Sequence, residues 1–342
     1  MASFLGAKVV GQTTSIDAIV PHLQMYQAGL SPDGRPAGVF LLLGPTGTGK
    51  TRTVEAVAEL LHGNPKCILK VDCGEFQMEH EVAKLIGAPP GYLGHRETQP
   101  MLNQMKLNAA TSERSNLSVV LFDEIEKAAT SMARLLLGVL DKGTLRLGDN
   151  STVNFEKTLI FFTSNLGARE MARHLRPDFG FEALVAGPGS KRKASGKRLD
   201  EIALRAAKRR FSPEFINRLD SIMTYQPLDH GSLEAILDLQ LQDFQRLVRV
   251  RLGARAFIVD VPPESRRFLL RKGTSAEYGA RELKRAIHRF VIQPVAALVS
   301  SGEIPPQSRV SLHPKGESAL TVRVTDGLRI VSKDDRGAGE AR

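Results

Sequence analysis

An eight-residue run constrains the fold of this chain more than any other feature. Residues 44–51 read GPTGTGKT; they follow the apolar run VFLLL (39–43), and the helix-like sequence TRTVEAVAELL begins at their last residue. A strand, a glycine-rich turn and a helix in this order are typical of a phosphate-binding loop. The sequence therefore predicts a nucleotide-binding α/β domain. The loop consists of Gly44, Pro45, Thr46, Gly47, Thr48, Gly49, Lys50 and Thr51.

The residue types in this loop suit a nucleoside triphosphate. Glycines allow consecutive backbone N–H groups to converge on phosphate oxygens. Lys50 is expected to face the β- and γ-phosphates, and Thr51 to offer its hydroxyl to Mg²⁺. The predicted cofactors are therefore a nucleoside triphosphate and Mg²⁺, and the family resemblance given below implies that the nucleotide is ATP.

Two further polar positions follow apolar runs. SVVLFDE (118–124) ends in Asp123 and Glu124, and TLIFFTSN (158–165) ends in Asn165. Ligands of open α/β sheets bind outside the carboxyl ends of the strands, so these side chains are expected beside the loop. We expect Asp123 to hold Mg²⁺ through water and Glu124 to orient and deprotonate the attacking water. Asn165 is expected to contact that water or the γ-phosphate, with a turn-starting asparagine as the alternative.

The distribution of apolar runs predicts two domains. Runs that are apolar on both faces alternate with helix-like stretches up to about residue 226, which is typical of a mostly parallel sheet covered by helices. From residue 227 helical periodicity dominates, with short strand candidates at AFIVDV and ALTVRV. We therefore predict a large nucleotide-binding domain over 1–226, a small C-terminal domain over 227–325 and a disordered tail over 326–342.

Charge and hydropathy restrict the possible partners. No apolar run approaches the roughly 18 residues that span a bilayer, so a membrane partner is not expected and the predicted location is the cytoplasm. The chain has a net charge of +10, and its basic excess is concentrated in a predicted insertion over about 182–212. The insertion begins with a linker-like composition and is interpreted mainly as a solvated loop.

The motifs, taken in order, resemble a known family. GPTGTGKT, LFDEIEK, FFTSNLG, FSPEFINRLD and YGARELKRAI are together similar to the AAA+ ATPase module of Clp-type unfoldases, specifically the second ATPase ring of the ClpB, ClpC and ClpA group. The resemblance covers roughly residues 8–312. It implies that Val9 and Val10 pack near the adenine and that Asn165 is the sensor-1 residue. It also implies that Arg218 is an arginine finger reaching a neighbouring subunit and that Arg281 is the sensor-2 arginine.

The resemblance further implies a homo-hexameric ring that threads unfolded or aggregated polypeptide. The stretch GAPPGYLGH (87–95) corresponds to a pore loop, in which Gly91, Tyr92, Leu93 and Gly94 would contact the substrate. A tyrosine ring grips assorted apolar groups without requiring a particular sequence. Phe179, Gly180 and Phe181 resemble the loop by which some relatives dock on a ClpP-like protease, although apolar packing is the alternative interpretation.

Two other functions remain open at this point. The basic excess and an isoelectric point near 9.7 would suit an AAA+ motor or loader that acts on nucleic acid, but the sequence lacks the interleaved aromatic and basic residues of such a surface. The chain could also be a switch that uses ATP only to assemble. An ATP-driven protein unfoldase or disaggregase is the leading hypothesis.

Overall fold

The computed structural model describes residues 1–87, 100–175, 188–274, 279–326 and 329–332. They form two compact units, Met1–Pro227 and Leu228–Arg342. Among these residues, no helix is both long enough and apolar enough to cross a membrane.

A parallel five-stranded sheet forms the centre of the first unit. Its strand order is β2-β3-β6-β1-β7, and each pair of neighbours is parallel. A separate antiparallel pair, β4 and β5, lies outside it. The strands of this unit are β1 (Gly38–Leu43), β2 (Leu69–Asp72), β3 (Ser118–Asp123), β4 (Thr144–Arg146), β5 (Thr152–Asn154), β6 (Thr158–Ser164) and β7 (Ser221–Thr224).

Helices cover both faces of this sheet. Side chains of β1 alternate between two buried clusters: Val39, Leu41 and Leu43 belong to one, and Phe40 and Leu42 to the other. Because successive side chains of a strand point to opposite faces, a strand buried on both sides is apolar throughout. The predicted α/β class is thereby confirmed. The helices are α1 (Ala2–Lys8), α2 (Thr13–Gln27), α3 (Lys50–His62), α4 (Ala83–Ile86), α5 (Gln104–Ala109), α6 (Thr130–Lys142), α7 (Ala168–Leu175), α8 (Pro188–Arg210) and α9 (Pro213–Asn217).

Helix α8 occupies much of the segment that composition favoured as a loop. Pro188 stands at its first position, where the missing N–H is not needed. Farther along the helix, Leu199, Ala203 and Ala207 recur every four residues and are buried, so they place one helix face against the core. This apolar stripe explains why the segment is helical. The composition suggested a linker because basic residues dominate it.

The second unit combines helices with a four-stranded sheet of order β11-β10-β9-β8. Strand β8 pairs parallel with β9, and the remaining pairs are antiparallel. Strand β11 lies within the segment predicted to be a disordered tail; it pairs with β10. The elements are α10 (His230–Leu252), β8 (Ile258–Asp260), α11 (Pro263–Gly273), α12 (Ala280–Ile287), a π-helical turn (His288–Ile292), α13 (Gln293–Ser300), β9 (Arg309–Lys315), β10 (Ala319–Asp326) and β11 (Arg329–Ser332).

Candidate active site

The glycine-rich loop connects the fully buried strand β1 to the first turn of α3. Gly44, Gly47 and Gly49 all have positive φ, at 144°, 78° and 104°. Residues with a Cβ atom rarely adopt such backbone angles. At Gly44 a Cβ would also lie 2.4 Å from the carbonyl oxygen of Tyr225. At Gly49 it would meet no atom within 4 Å. The conformation therefore depends on glycine, and the space beside Gly49 is open at the N-terminus of α3, where an anion is favoured.

Lys50 is held at the mouth of this loop. The residue is only 8% exposed, and its Nζ donates to the carbonyl oxygens of Gly44 at 2.6 Å and Pro45 at 2.9 Å. Nζ also donates to Oδ1 of Asn165 at 3.0 Å. These contacts aim a buried positive charge at the loop, where a phosphate group would find it.

Gln12 ties the loop to the N-terminal segment. Its Nε2 donates to the carbonyl oxygens of Thr48 at 3.2 Å and Gln226 at 3.0 Å. Val9 is buried in the same core cluster as Ile16, and Val10 is half-buried. The sequence analysis did not single out Gln12, because a glutamine after a short helix has no distinctive spacing.

Asp123 ends β3 and is held from two sides. Its Oδ1 accepts a hydrogen bond from Thr163 Oγ1, and its Oδ2 lies 2.7 Å from Nζ of Lys70. Burial by itself raises the pKa of this carboxyl group, but the hydrogen bonds from Lys70 and Thr163 and the charges of Lys70 and Lys50 outweigh it and leave the pKa below its usual value. Asp123 is therefore ionised at neutral pH, as a hard oxygen ligand for Mg²⁺ must be.

Glu124 occupies a strained backbone position next to it. Its φ of 57° and ψ of 48° are left-handed, a conformation that costs energy for a residue with a side chain. Its backbone N–H donates to Thr163 Oγ1 at 3.1 Å, so one threonine hydroxyl contacts both Asp123 and Glu124. The carboxylate of Glu124 forms an ion pair with Lys127.

Asn165 connects the basic and acidic halves of the site. Its Oδ1 accepts from Lys50, and its Nδ2 donates to Oε1 of Glu124 at 3.1 Å. Its backbone N–H donates to Oε1 of Glu126 at 3.0 Å. We call the chain of contacts Lys50–Asn165–Glu124 the catalytic-edge network. The structure thus brings together, at one edge of the sheet, the first residue of α3 and the residues that directly follow β3 and β6.

Besides Gln12, three residues of this site escaped the sequence analysis: Lys70, Lys127 and Thr163. Lys70 lies on β2, and only the pairing of β2 with β3 reveals that it approaches Asp123. Thr163 and Lys127 lie two and three residues from predicted site residues, which is a usable signal. However, the contacts of their side chains can be assigned only when the positions of the strand ends are known.

Arg218 lies apart from the catalytic-edge network. It ends α9, and its NH2 lies 3.0 Å from Oδ1 of Asp141 on α6, with 46% of the arginine side chain exposed. Arg281 is an exposed residue of α12 in the second unit. Gly91, Tyr92, Leu93 and Gly94 lie outside the described residues, as do Phe179, Gly180 and Phe181.

The residues at this edge fit a nucleotide with a divalent metal. The open space beside Gly49, one buried lysine and one ionised carboxylate meet there, and the half-buried Thr51 is the second residue of α3. Within the described part of the chain, no group of three or more His, Cys, Asp and Glu residues is arranged to hold a metal ion.

Sequence comparison identifies both units. The family described as "AAA domain (Cdc48 subfamily)" matches residues 35–222. The family described as "C-terminal, D2-small domain, of ClpB protein" matches residues 228–312.

Individual relatives and structures agree with these matches. The "Chaperone protein ClpB" of Rhizobium meliloti (strain 1021) is 36% identical over 312 residues, which cover 91% of this chain and 33% of the relative. The protein of the same name from Aquifex aeolicus (strain VF5) is 38% identical over 300 residues, which cover 88% of this chain and 28% of the relative. The chain therefore spans about a third of the length of the curated relatives that it matches.

Solved structures of a yeast protein share the fold. The structure "S. cerevisiae Hsp104:casein complex, Extended Conformation" superposes with a TM-score of 0.78 at 26% identity, covering 94% of this chain and 51% of the other. The structure "S. cerevisiae Hsp104-ADP complex" has a TM-score of 0.77 at 28% identity, with the same coverage.

Proposed function

The chain belongs to the AAA domain family (Cdc48 subfamily) and carries the C-terminal D2-small domain of the ClpB type, and we propose on this basis that it is an ATPase that remodels proteins. Nucleotide and divalent-metal binding follow from that membership; ATP and Mg²⁺ are the specific proposal. The catalytic-edge network carries it, because a buried lysine, an amide and a carboxylate in contact are the parts that ATP hydrolysis requires.

The proposed roles follow from the contacts. Backbone N–H groups of the loop after Pro45 bind the phosphates, and Lys50 exchanges its contact with Asn165 for the γ-phosphate. Thr51 and Asp123 hold Mg²⁺, which when bound neutralises charge on the β- and γ-phosphates. Glu124 accepts the proton of the attacking water. Asn165 then orients the water.

Arginines supplied from other parts of the assembly complete the site. Arg218, exposed directly after α9, is proposed to reach the nucleotide of a neighbouring copy, and Arg281 to contact the nucleotide from the small domain. A guanidinium forks across phosphate oxygens and stabilises charge that develops during transfer. A head-to-tail interface that closes forms a ring, and a ring of six copies is proposed.

The proposed substrate is unfolded or aggregated polypeptide in the cytoplasm. Relatives named as chaperones, and the similar yeast structure of an Hsp104:casein complex, support this substrate class. Tyr92, in the segment GAPPGYLGH, is proposed to grip the polypeptide in the pore. A protease partner that docks at Phe179, Gly180 and Phe181 is a weaker proposal, because it depends on three residues.

The decisive experiment measures ATP hydrolysis by the full chain with unfolded casein, with DNA and with neither. We expect stimulation by casein. Stimulation by DNA alone would favour the nucleic-acid motor, whose support is the net charge of +10. Hydrolysis that responds to neither would favour the switch that uses ATP only to assemble.

Variants of Tyr92 test the threading step. Tyr92→Ala should retain basal ATP hydrolysis and assembly but lose the unfolding of a tagged fluorescent substrate. Tyr92→Phe keeps the ring and should retain unfolding. Equal unfolding by both variants would remove Tyr92 from the mechanism.

A further inference from the structure

Arg210, the last residue of α8, reaches the turn that follows Glu124. Its Nε donates to the carbonyl oxygen of Glu126 at 3.0 Å, and its NH2 donates to that of Ala128 at 2.8 Å. The two acceptors flank Lys127, the ion-pair partner of Glu124. The side chain of one residue, at least 82 positions away in the sequence, thus spans the turn.

This turn is held from several directions, and its conformation determines where Glu124 lies. Lys127 N–H donates to the carbonyl oxygen of Glu124 at 2.9 Å, and Ala129 N–H donates to that of Phe76 at 2.7 Å. Glu126 accepts from the backbone of Asn165 through its side chain. Since Glu124 has a left-handed backbone, the surrounding contacts must offset that strain.

The element that carries Arg210 is itself anchored in the core. The next residue, Phe211, is 6% exposed and stacks on Phe215 with ring centroids 5.1 Å apart. Phe215 in turn contacts Phe162 of β6 at 5.3 Å. A guanidinium on a fixed base loses little freedom when it binds, and its fork suits two carbonyl oxygens.

We propose that Arg210 is a positioning residue: it clamps the turn over residues 126–128 and so keeps the Glu124 carboxylate in place for proton transfer. The inference rests on the proposed ATPase function and adds a residue that neither the motifs nor the resemblance pointed to. Arg210 touches no part of the phosphate loop in the described structure. Its loss is therefore expected to slow the chemical step and leave nucleotide binding intact.

The test compares Arg210→Ala with Arg209→Ala in the full chain. Arg209 lies on the same helix turn and carries the same charge, but its ion pair is with Glu170 on α7 at 3.7 Å. We expect kcat of Arg210→Ala to fall roughly 10- to 100-fold, as for a displaced catalytic group. KM and Tm should match the wild type, and Arg209→Ala should behave as wild type. Arg210→Lys retains the charge without the planar fork and should show a smaller loss of kcat.

A double variant separates positioning from general damage. If Arg210 acts through Glu124, adding Arg210→Ala to Glu124→Gln should lower the residual rate no further. Hydrogen exchange of the amides of residues 124–129 should also accelerate in Arg210→Ala and not in Arg209→Ala. This second measurement needs no ATP hydrolysis, so an inactive wild type would reject the proposed function without deciding on the clamp.

Equal losses of kcat in the Arg209 and Arg210 variants would overturn the proposal, as would a further drop of the rate in the double variant or unchanged exchange of residues 124–129. A fall in Tm of Arg210→Ala that matches its loss of kcat, with Arg210→Lys fully active, would also reject it. That pattern would assign Arg210 to folding alone.

Discussion

The catalytic edge and the segment that carries Arg218 belong to the same unit but differ in how their charges are satisfied. At the edge, Lys50 is 8% exposed and contacts two carbonyl oxygens and Asn165. Arg218 pairs with Asp141 in an arrangement in which both side chains are more than 40% exposed. Exposed pairs are weak and exchange readily. The charged groups of the catalytic edge are therefore satisfied within one chain. The guanidinium of Arg218, in contrast, can leave Asp141 and bind a negatively charged group of another molecule.

Lys50→Ala should have the largest effect, because it removes the buried cation of the catalytic-edge network. We expect nucleotide binding to be abolished, and hydrolysis with it, since a charge-assisted contact to phosphate is lost in a site shielded from water. Titration with a fluorescent nucleotide measures the nucleotide affinity of the variant. Lys66→Ala, which removes an exposed lysine, is the control. Unchanged affinity in Lys50→Ala would reject this edge as the nucleotide site.

Arg218→Ala tests whether the second region acts on another copy. We expect kcat to fall roughly a thousandfold, in the range found when a finger arginine is lost, with nucleotide affinity preserved. Mixing these subunits with Lys50→Ala subunits should restore part of the hydrolysis, because some intact arginines then face intact loops. No recovery in freshly exchanged mixtures would indicate that Arg218 acts within its own chain or not at all.

Glu124→Gln should separate binding from chemistry at the first region. The amide keeps the shape but cannot accept the proton, so we expect kcat to fall by roughly 100-fold or more with nucleotide affinity retained. Glu113→Gln, at an exposed position, serves as the control. Near wild-type turnover in Glu124→Gln would move the general base to another residue.

Thr163→Val should have the smallest effect and tests how the edge is held together. The substitution removes the hydroxyl that contacts Asp123 and the backbone of Glu124, at a cost of about 1–3 kcal/mol in the free energy of unfolding. Thr163→Ser retains the hydroxyl and should lose less.

The loss of unfolding free energy in Thr163→Val should change with pH in a definite direction. The Thr163 hydrogen bond helps to hold the pKa of Asp123 below its usual value. Its stabilisation is therefore present above the unfolded-state pKa and is lost as pH falls through the folded-state pKa. Denaturant unfolding at neutral and acidic pH should show the difference between wild type and Thr163→Val shrinking in acid. A constant difference would mean that the hydroxyl does not act on the carboxylate.

Much of the site was predictable from short runs of sequence. GPTGTGKT, SVVLFDE and TLIFFTSN each consist of a buried strand followed by polar residues, and parallel strands bring such ends to one edge. Lys70 was not predictable in this way, because its partner Asp123 lies on a neighbouring strand. Which strands are neighbours in the sheet cannot be inferred from the sequence of either strand. Arg210 was hidden for a different reason: it belongs to a basic segment, where one functional arginine looks like its solvated neighbours.

The sequence by itself determined the α/β class, the phosphate loop and the residue types available for chemistry, because these depend on local periodicity and on the conformations that glycine permits. Only the tertiary structure decided that Asn165 joins Lys50 to Glu124, that Thr163 holds two acidic residues, and that Arg210 spans the turn beside them. Each of these contacts joins residues at least 39 positions apart. Contacts at such separations form where packing of the sheet and helices brings the backbone together, and packing is a property of the whole unit rather than of any one segment.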